Sequence, residues 1–176
     1  MAIMRVYIGD ITKVDTDVIA NAADTDFTPG GGIARWIAKE GGKEIFKEAE
    51  KYAPGQVGKV YPTTAGKLKA KSVFHIPTVD WKKDQRITLP EIHSIVVVAL
   101  EKTMELGYTS ITFPLLGAGT LKLDEVKVTE EIADAIIHME EEKPNLVGAI
   151  CVLTKATYNT VKNVLPTNIE VIELPQ

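Results

Sequence analysis

At 176 residues the chain is long enough to bury one core and too short for two ordinary domains, so a single domain over residues 1–176 is expected. With 45% hydrophobic and 25% charged residues it reads as a folded globular protein, which excludes disordered and fibrous classes. A formal net charge of −4 excludes nucleic-acid binding through a basic face.

Strand-like and helix-like segments alternate along the chain. Ile3 to Ile8 and Val18 to Ala20, rich in branched residues, predict strands. Apolar periodicity predicts a helix from Ile33 to Glu40, stopped by Gly41-Gly42, and another from Lys43 to Tyr52 before Pro54-Gly55. Val57 to Thr64 and Ser72 to Ile76 read as strands around a turn at Ala65-Gly66. The longest helix, Leu89 to Leu106, has Pro90 in its first turn and Gly107 at its end. A strand at Ser110 to Phe113, a helix at Glu125 to Glu142, a strand at Val147 to Leu153, a helix at Ala156 to Val164 and a strand at Glu170 to Ile172 follow. This alternation implies an α/β layered domain, a central sheet with helices on both faces.

Asp10 interrupts the first apolar stretch, so no signal peptide is expected, and the apolar run near Ile95 to Leu100 is too short to cross a bilayer. The one cysteine, Cys151, lies in an apolar run and reads as a buried structural thiol. A cytoplasmic location, with no membrane partner, is the expectation. His75 lies in a strand and reads as a core or rim histidine, while His93 and His138 read as surface. No His, Cys and carboxylate cluster has metal-ligand spacing, so neither a metal nor another cofactor is expected.

Two glycine features stand where strands end. Gly30, Gly31 and Gly32 directly precede the helix beginning Ile33-Ala34-Arg35-Trp36, and Gly117-Ala118-Gly119 follows Ile111-Thr112-Phe113. Free amides and the partial positive charge of a helix start bind phosphate without a basic side chain. Two such loops at strand ends, where α/β sheets collect ligands, suggest a ligand with more than one phosphate. The spacing fits neither the Gly-x-x-x-x-Gly-Lys loop of nucleoside triphosphatases nor the Gly-x-Gly-x-x-Gly of dinucleotide folds. Asp10, in Gly9-Asp10-Ile11-Thr12, has two readings: a cap for the next turn, or an acceptor for a ligand amine. Asp24 has three: an Asx-type turn with Asp26, an acceptor for sugar hydroxyls, or a group that orients or deprotonates a water. Trp36 is expected in the core; Trp81, in the loop after Pro77, is a candidate lid or partner contact.

Gly-Asp-Ile-Thr, then Asp15-Thr16-Asp17-Val18-Ile19-Ala20-Asn21-Ala22-Ala23, then Gly-Gly-Gly-Ile-Ala together resemble the macro domain. Lys71-Ser72-Val73-Phe74-His75 and Ser110-Ile111-Thr112-Phe113-Pro114 with its Gly-Ala-Gly loop are similar to that family's later segments. The resemblance implies a three-layer α/β/α fold with a central mixed sheet that binds ADP-ribose. It implies that Asp10, beside Gly9 and Ile11, receives the adenine amine. The run Gly30 to Gly32 with Ile33 and the loop Gly117, Ala118, Gly119 and Thr120 would hold the diphosphate and distal ribose, with Ala22, Leu116 and Leu121 as further ligand contacts. Leu153 would give aliphatic contact where the family often stacks an aromatic ring.

The chain departs from the family pattern in Asp24 where Asn is common, Ala34 where one hydrolase branch has Asp, and Leu121-Lys122 where an aromatic residue and a glycine are usual. The segment around Trp81 also differs. The reading is therefore binding of ADP-ribose or a derivative, including ADP-ribosylated protein. Attached to it is hydrolysis at the distal ribose (of a 1″-phosphate, an O-acetyl group or a protein link) with Asp24 as the catalytic candidate; the alternative is a non-catalytic reader.

Overall fold

Residues 4–176 are described by a computed structural model, so Ile3, expected in the first strand, lies outside the described residues. Strands β1 (Arg5–Ile8), β2 (Val18–Asp24), β3 (Tyr61–Thr64), β4 (Ser72–Asp80), β5 (Gln85–Arg86), β6 (Ser110–Phe113), β7 (Val147–Val152) and β8 (Glu170–Glu173) form one eight-stranded sheet. Its order is β3-β4-β2-β6-β7-β1-β8, with β5 beside β4. Neighbours run parallel except β3 and β5, which are antiparallel to β4. Helices α1 (Gly32–Gly41), α2 (Glu44–Glu50), α3 (Leu89–Glu105), α4 (Glu125–Glu142) and α5 (Lys155–Val161) complete the described elements, with short 3-10 turns at Ile11–Lys13 and Lys162–Val164.

Period-two alternation in the strands builds the layers. Val6, Ile8, Val18, Ala20, Phe74 and Ile150 point to one face, where they meet Ile92 and Ile95 of α3 and Val128 and Ile132 of α4. The residues between them, Tyr7, Ile19, Val73, Ala149 and Cys151, point to the other face against Ile37 of α1 and Ile45 and Phe46 of α2. The result is the three-layer arrangement around a mixed sheet.

Three boundaries differ from expectation. β2 continues through Asn21-Ala22-Ala23 to Asp24 because β4 supplies a parallel ladder there, from Asn21 opposite His75 to Ala23 opposite Pro77. β3 starts only at Tyr61. The segment after Pro77 is a hairpin: β4 runs on to Asp80 and pairs with β5, which leaves Trp81 at the turn. Among the described residues no helix is long and apolar enough to cross a membrane.

Candidate functional site

Because β1, β2, β6 and β7 run in one direction, their carboxyl ends open on the same edge of the sheet, and the chain leaves each through a loop. Two cavities lie along that edge, of about 360 Å³ and about 480 Å³. Both are lined by Gly32, Ile33, Pro114, Leu115 and Gly119, so the two glycine loops form the boundary where they meet. Among the described residues, no lysine, arginine or histidine lines either one.

The first cavity is floored by Gly9, Asp10 and Ile11 from the end of β1, and by Cys151, Val152 and Leu153 from the end of β7. Asp10 caps the 3-10 turn: its Oδ1 accepts from Thr12 N at 2.9 Å and from Thr12 Oγ1 at 2.8 Å. Oδ2 has no hydrogen-bond partner among the described residues. The cap and an open acceptor thus reside on one carboxylate. Cys151 is buried, its thiol donating to Gly9 O at 3.4 Å. Burial, reinforced by the Asp10 charge, pushes its pKa up to about 12, which keeps the thiol protonated at neutral pH.

At the boundary, α1 begins without a side-chain cap, its N-cap being Gly31, whereas Asp124 caps α4 at Lys127 N (3.0 Å) and Thr154 caps α5 at Thr157 N (3.2 Å). The first-turn amides of α1 therefore remain available. Gly32 adopts φ 55°, a left-handed conformation that costs other residues about 1 kcal/mol, and this turns the chain into the helix. A Cβ built on Gly30 or Gly31 meets nothing within 4 Å, so the protein leaves the space over these residues open. In the second loop Gly117 has φ 79°, and a side chain there would meet Leu123 Cδ1 at 2.7 Å. The amides of Gly117, Gly119, Thr120 and Leu121 have no acceptor among the described residues. Ala118 N is bonded to Leu115 O at 3.1 Å, so this amide of the expected donor set is already engaged.

The second cavity is lined by Ala22, Ala23 and Asp24 of β2, by Thr28, Gly30, Gly31 and Ala34, by Thr78, Val79 and Trp81, and by Gly117, Thr120 and Leu121. Asp24, its one ionisable side chain, is tied into its own turn. Oδ1 accepts from Asp26 N at 2.9 Å and from Thr28 N at 3.2 Å, and Oδ2 accepts from the Thr28 hydroxyl. The turn needs that support, because Phe27 within it is held at φ 56°, unusual for a bulky residue. Phe27 is buried among Tyr61, Tyr52 and His75, with ring centroids 5.2, 6.5 and 6.1 Å away. His75 lies wholly in the core, Nε2 against Thr63 Oγ1 at 2.9 Å and Nδ1 against Asn21 Nδ2 at 3.1 Å, and burial lowers its pKa to about 4.

Of the residues singled out from sequence, Gly9, Asp10, Ile11, Ala118 and Leu153 line the first cavity, Ala22, Asp24, Gly30, Gly31, Gly117, Thr120 and Leu121 the second, and Gly32, Ile33 and Gly119 both. Leu116 is a correction: it is fully buried in the main core and lines neither cavity, because the chain turns its neighbour Leu115 to the cleft instead. Trp36 is a second correction. It is 51% exposed, belongs to no core cluster, and lines the first cavity. Pro114, part of a motif segment, also lines the cleft, as do Thr28, Thr78, Leu115, Glu125, Thr154 and Thr157, which carry no sequence signal beyond their closeness to such segments.

The sequence pattern of the Macro domain matches residues 20–133. An uncharacterized protein of Sulfolobus acidocaldarius is 34% identical over 169 residues, covering 92% of this chain and 89% of that protein. The Oceanobacillus iheyensis macrodomain with ADP superposes with a TM-score of 0.81 at 22% identity, over 89% of this chain and 86% of that one. The Trypanosoma brucei macrodomain in complex with ADP-ribose gives 0.79 at 21% identity, over 90% and 67%. At such identities the structural likeness speaks for the fold.

Proposed function

The chain belongs to the macro domain family, and from that premise we propose that its cleft binds ADP-ribose or a derivative of it. The observation that carries the reading is the sharing of Gly32, Ile33, Leu115 and Gly119 by two adjoining cavities. Amide-rich loops at the middle of a divided cleft suit a ligand with a diphosphate at its centre and a bulky group at each end. The first cavity, apolar and carrying the open Asp10 oxygen, suits a base with an exocyclic amine. The second, lined by threonines and glycine amides, suits a sugar with several hydroxyls. The Oceanobacillus iheyensis macrodomain is known with ADP and the Trypanosoma brucei macrodomain with ADP-ribose, which supports a ligand of this class.

Binding without turnover is the form of the function that the geometry supports best. Both oxygens of Asp24 serve the turn that holds Phe27, and Ala34 stands where an acid would otherwise be available. Hydrolysis at the distal ribose is the second reading. It is favoured by the roomier second cavity, and it requires Asp24 to give up Thr28 for a water. Titration calorimetry with ADP-ribose tests binding: one site per chain is expected, and no heat at millimolar ligand overturns the proposal. Phosphate release from ADP-ribose-1″-phosphate by the wild type and by Asp24→Ala separates the two readings. No release supports the reader; release that Asp24→Ala abolishes supports hydrolysis.

A further inference from the structure

We infer that the Trp36 indole is the stacking surface for the nucleobase in this chain, an inference that rests on the binding reading above. Trp36 is a large apolar side chain left half exposed on a helix that buries Ala34 and Ile37 in the core beneath it. Among the described residues it is the one aromatic side chain lining the first cavity, and no core cluster holds it. Exposing an indole forfeits the burial that a tryptophan ordinarily gains, so its place on the wall of a ligand-sized hollow points to an occupant that covers it. The other side chain at that end, Leu153, is 70% exposed and aliphatic; it can touch a flat ring but cannot stack on it.

The remaining groups in the cavity narrow the occupant. Asp10 offers an acceptor through Oδ2, and Glu125 is the other carboxylate in the lining, in which no basic residue stands among the described residues. Two acidic side chains and an indole favour a flat, neutral, amine-bearing ring and disfavour a phosphate or a sugar acid. The diphosphate would then start at Gly32 and Ile33, the first residues of the helix that carries Trp36. One rigid element would thereby set the distance between stacked base and phosphate.

Calorimetry with ADP-ribose on Trp36→Ala and Trp36→Phe, together with indole emission, tests this. Trp36→Ala is expected to lose about tenfold in affinity and Trp36→Phe to stay within about threefold of the wild type, as base–aromatic stacking implies. ADP-ribose should quench the wild-type emission, and most of that change should vanish in Trp36→Phe, where Trp81 is the remaining indole. Unfolding midpoints of the variants should match the wild type, since the side chain belongs to no core cluster. If the wild type binds ADP-ribose but Trp36→Ala binds it equally well, or the quench persists in full in Trp36→Phe, the stacking role is wrong and the binding reading stands. If the wild type does not bind ADP-ribose, both fall.

Discussion

Asp10 follows β1 and Asp24 ends β2, at opposite ends of one cleft, and each caps the turn that comes after it. Asp10 does so with one oxygen, whose two contacts both go to Thr12. Asp24 uses both oxygens, because its turn contains a bulky residue in a left-handed conformation that must be held from two sides. The difference teaches that a carboxylate in a cleft is not yet a functional carboxylate. What counts is how many of its lone pairs the fold has already claimed.

The two ends also rest on different supports, and acid should tell them apart most strongly. In β2, the strand whose end lines the second cavity, Asn21 joins His75, whose pKa burial lowers from the ordinary 6.5 to about 4. The unfolded chain binds a proton there near pH 6.5 while the folded one refuses it until about 4, so stability is full above the first value and falls as pH drops toward the second. The loss should reach about 3 kcal/mol, read as a falling urea midpoint. Beneath the first cavity, the Cys151 thiol stays protonated throughout this range. His75→Gln, which cannot titrate, should flatten the decline; an unchanged slope would place the acid sensitivity elsewhere.

Ligand binding should separate the carboxylates next. Asp10→Asn keeps an oxygen for Thr12 but loses the charge facing the cavity, so ADP-ribose affinity should drop about thirtyfold, or about 2 kcal/mol, with little change in unfolding midpoint. Ribose 5-phosphate, which has no base, should be affected far less; equal losses for both ligands would reduce Asp10 to a turn cap. At the other end Asp24→Ala frees Asp26, Thr28 and the strained Phe27, and ADP-ribose affinity should fall about fivefold through a loosened loop. Asp24→Asn, which can still accept from the turn amides, should recover most of that loss. A loss as large for Asn as for Ala would mean that the charge itself meets the ligand.

Much of this was legible in the residues. The continuous apolar runs Val18-Ile19-Ala20 and Gly148 to Val152 announce strands because both faces of the sheet are buried, and the glycine runs announce turns because few other residues enter them. Asn21-Ala22-Ala23 did not read as strand because small and polar residues carry little strand preference; the ladder to β4 makes them one. Trp36, expected in the core, lines the cleft for a related reason. Helical periodicity marks it as flanking the buried stripe of Ala34 and Ile37, and only the position of the sheet edge decides whether that flank meets core or cleft. Leu116 failed in the opposite sense, since chain direction after β6 chooses between two adjacent leucines with identical chemistry.

The smallest predicted effect bears on both ends at once. If the boundary loops grip the diphosphate through amides of Gly32, Ile33, Gly117 and Gly119, no ion pair forms on binding, because no basic side chain among the described residues lines either cavity. Added salt screens charge over about 8–10 Å at physiological strength but leaves hydrogen bonds at contact distance largely intact. The partial charge at the start of α1 is screened too, yet it amounts to roughly half a unit and acts within one helical turn. Affinity for ADP-ribose should therefore change by less than about threefold between about 50 mM and about 500 mM sodium chloride. A lysine clamp would behave otherwise, and Lys122, held at φ 56° in the second loop, is the residue to supply one. A loss of about tenfold or more over that range, abolished by Lys122→Ala, would move the grip from the main chain to a side chain and erase the distinction between a boundary made of amides and ends made of specific groups.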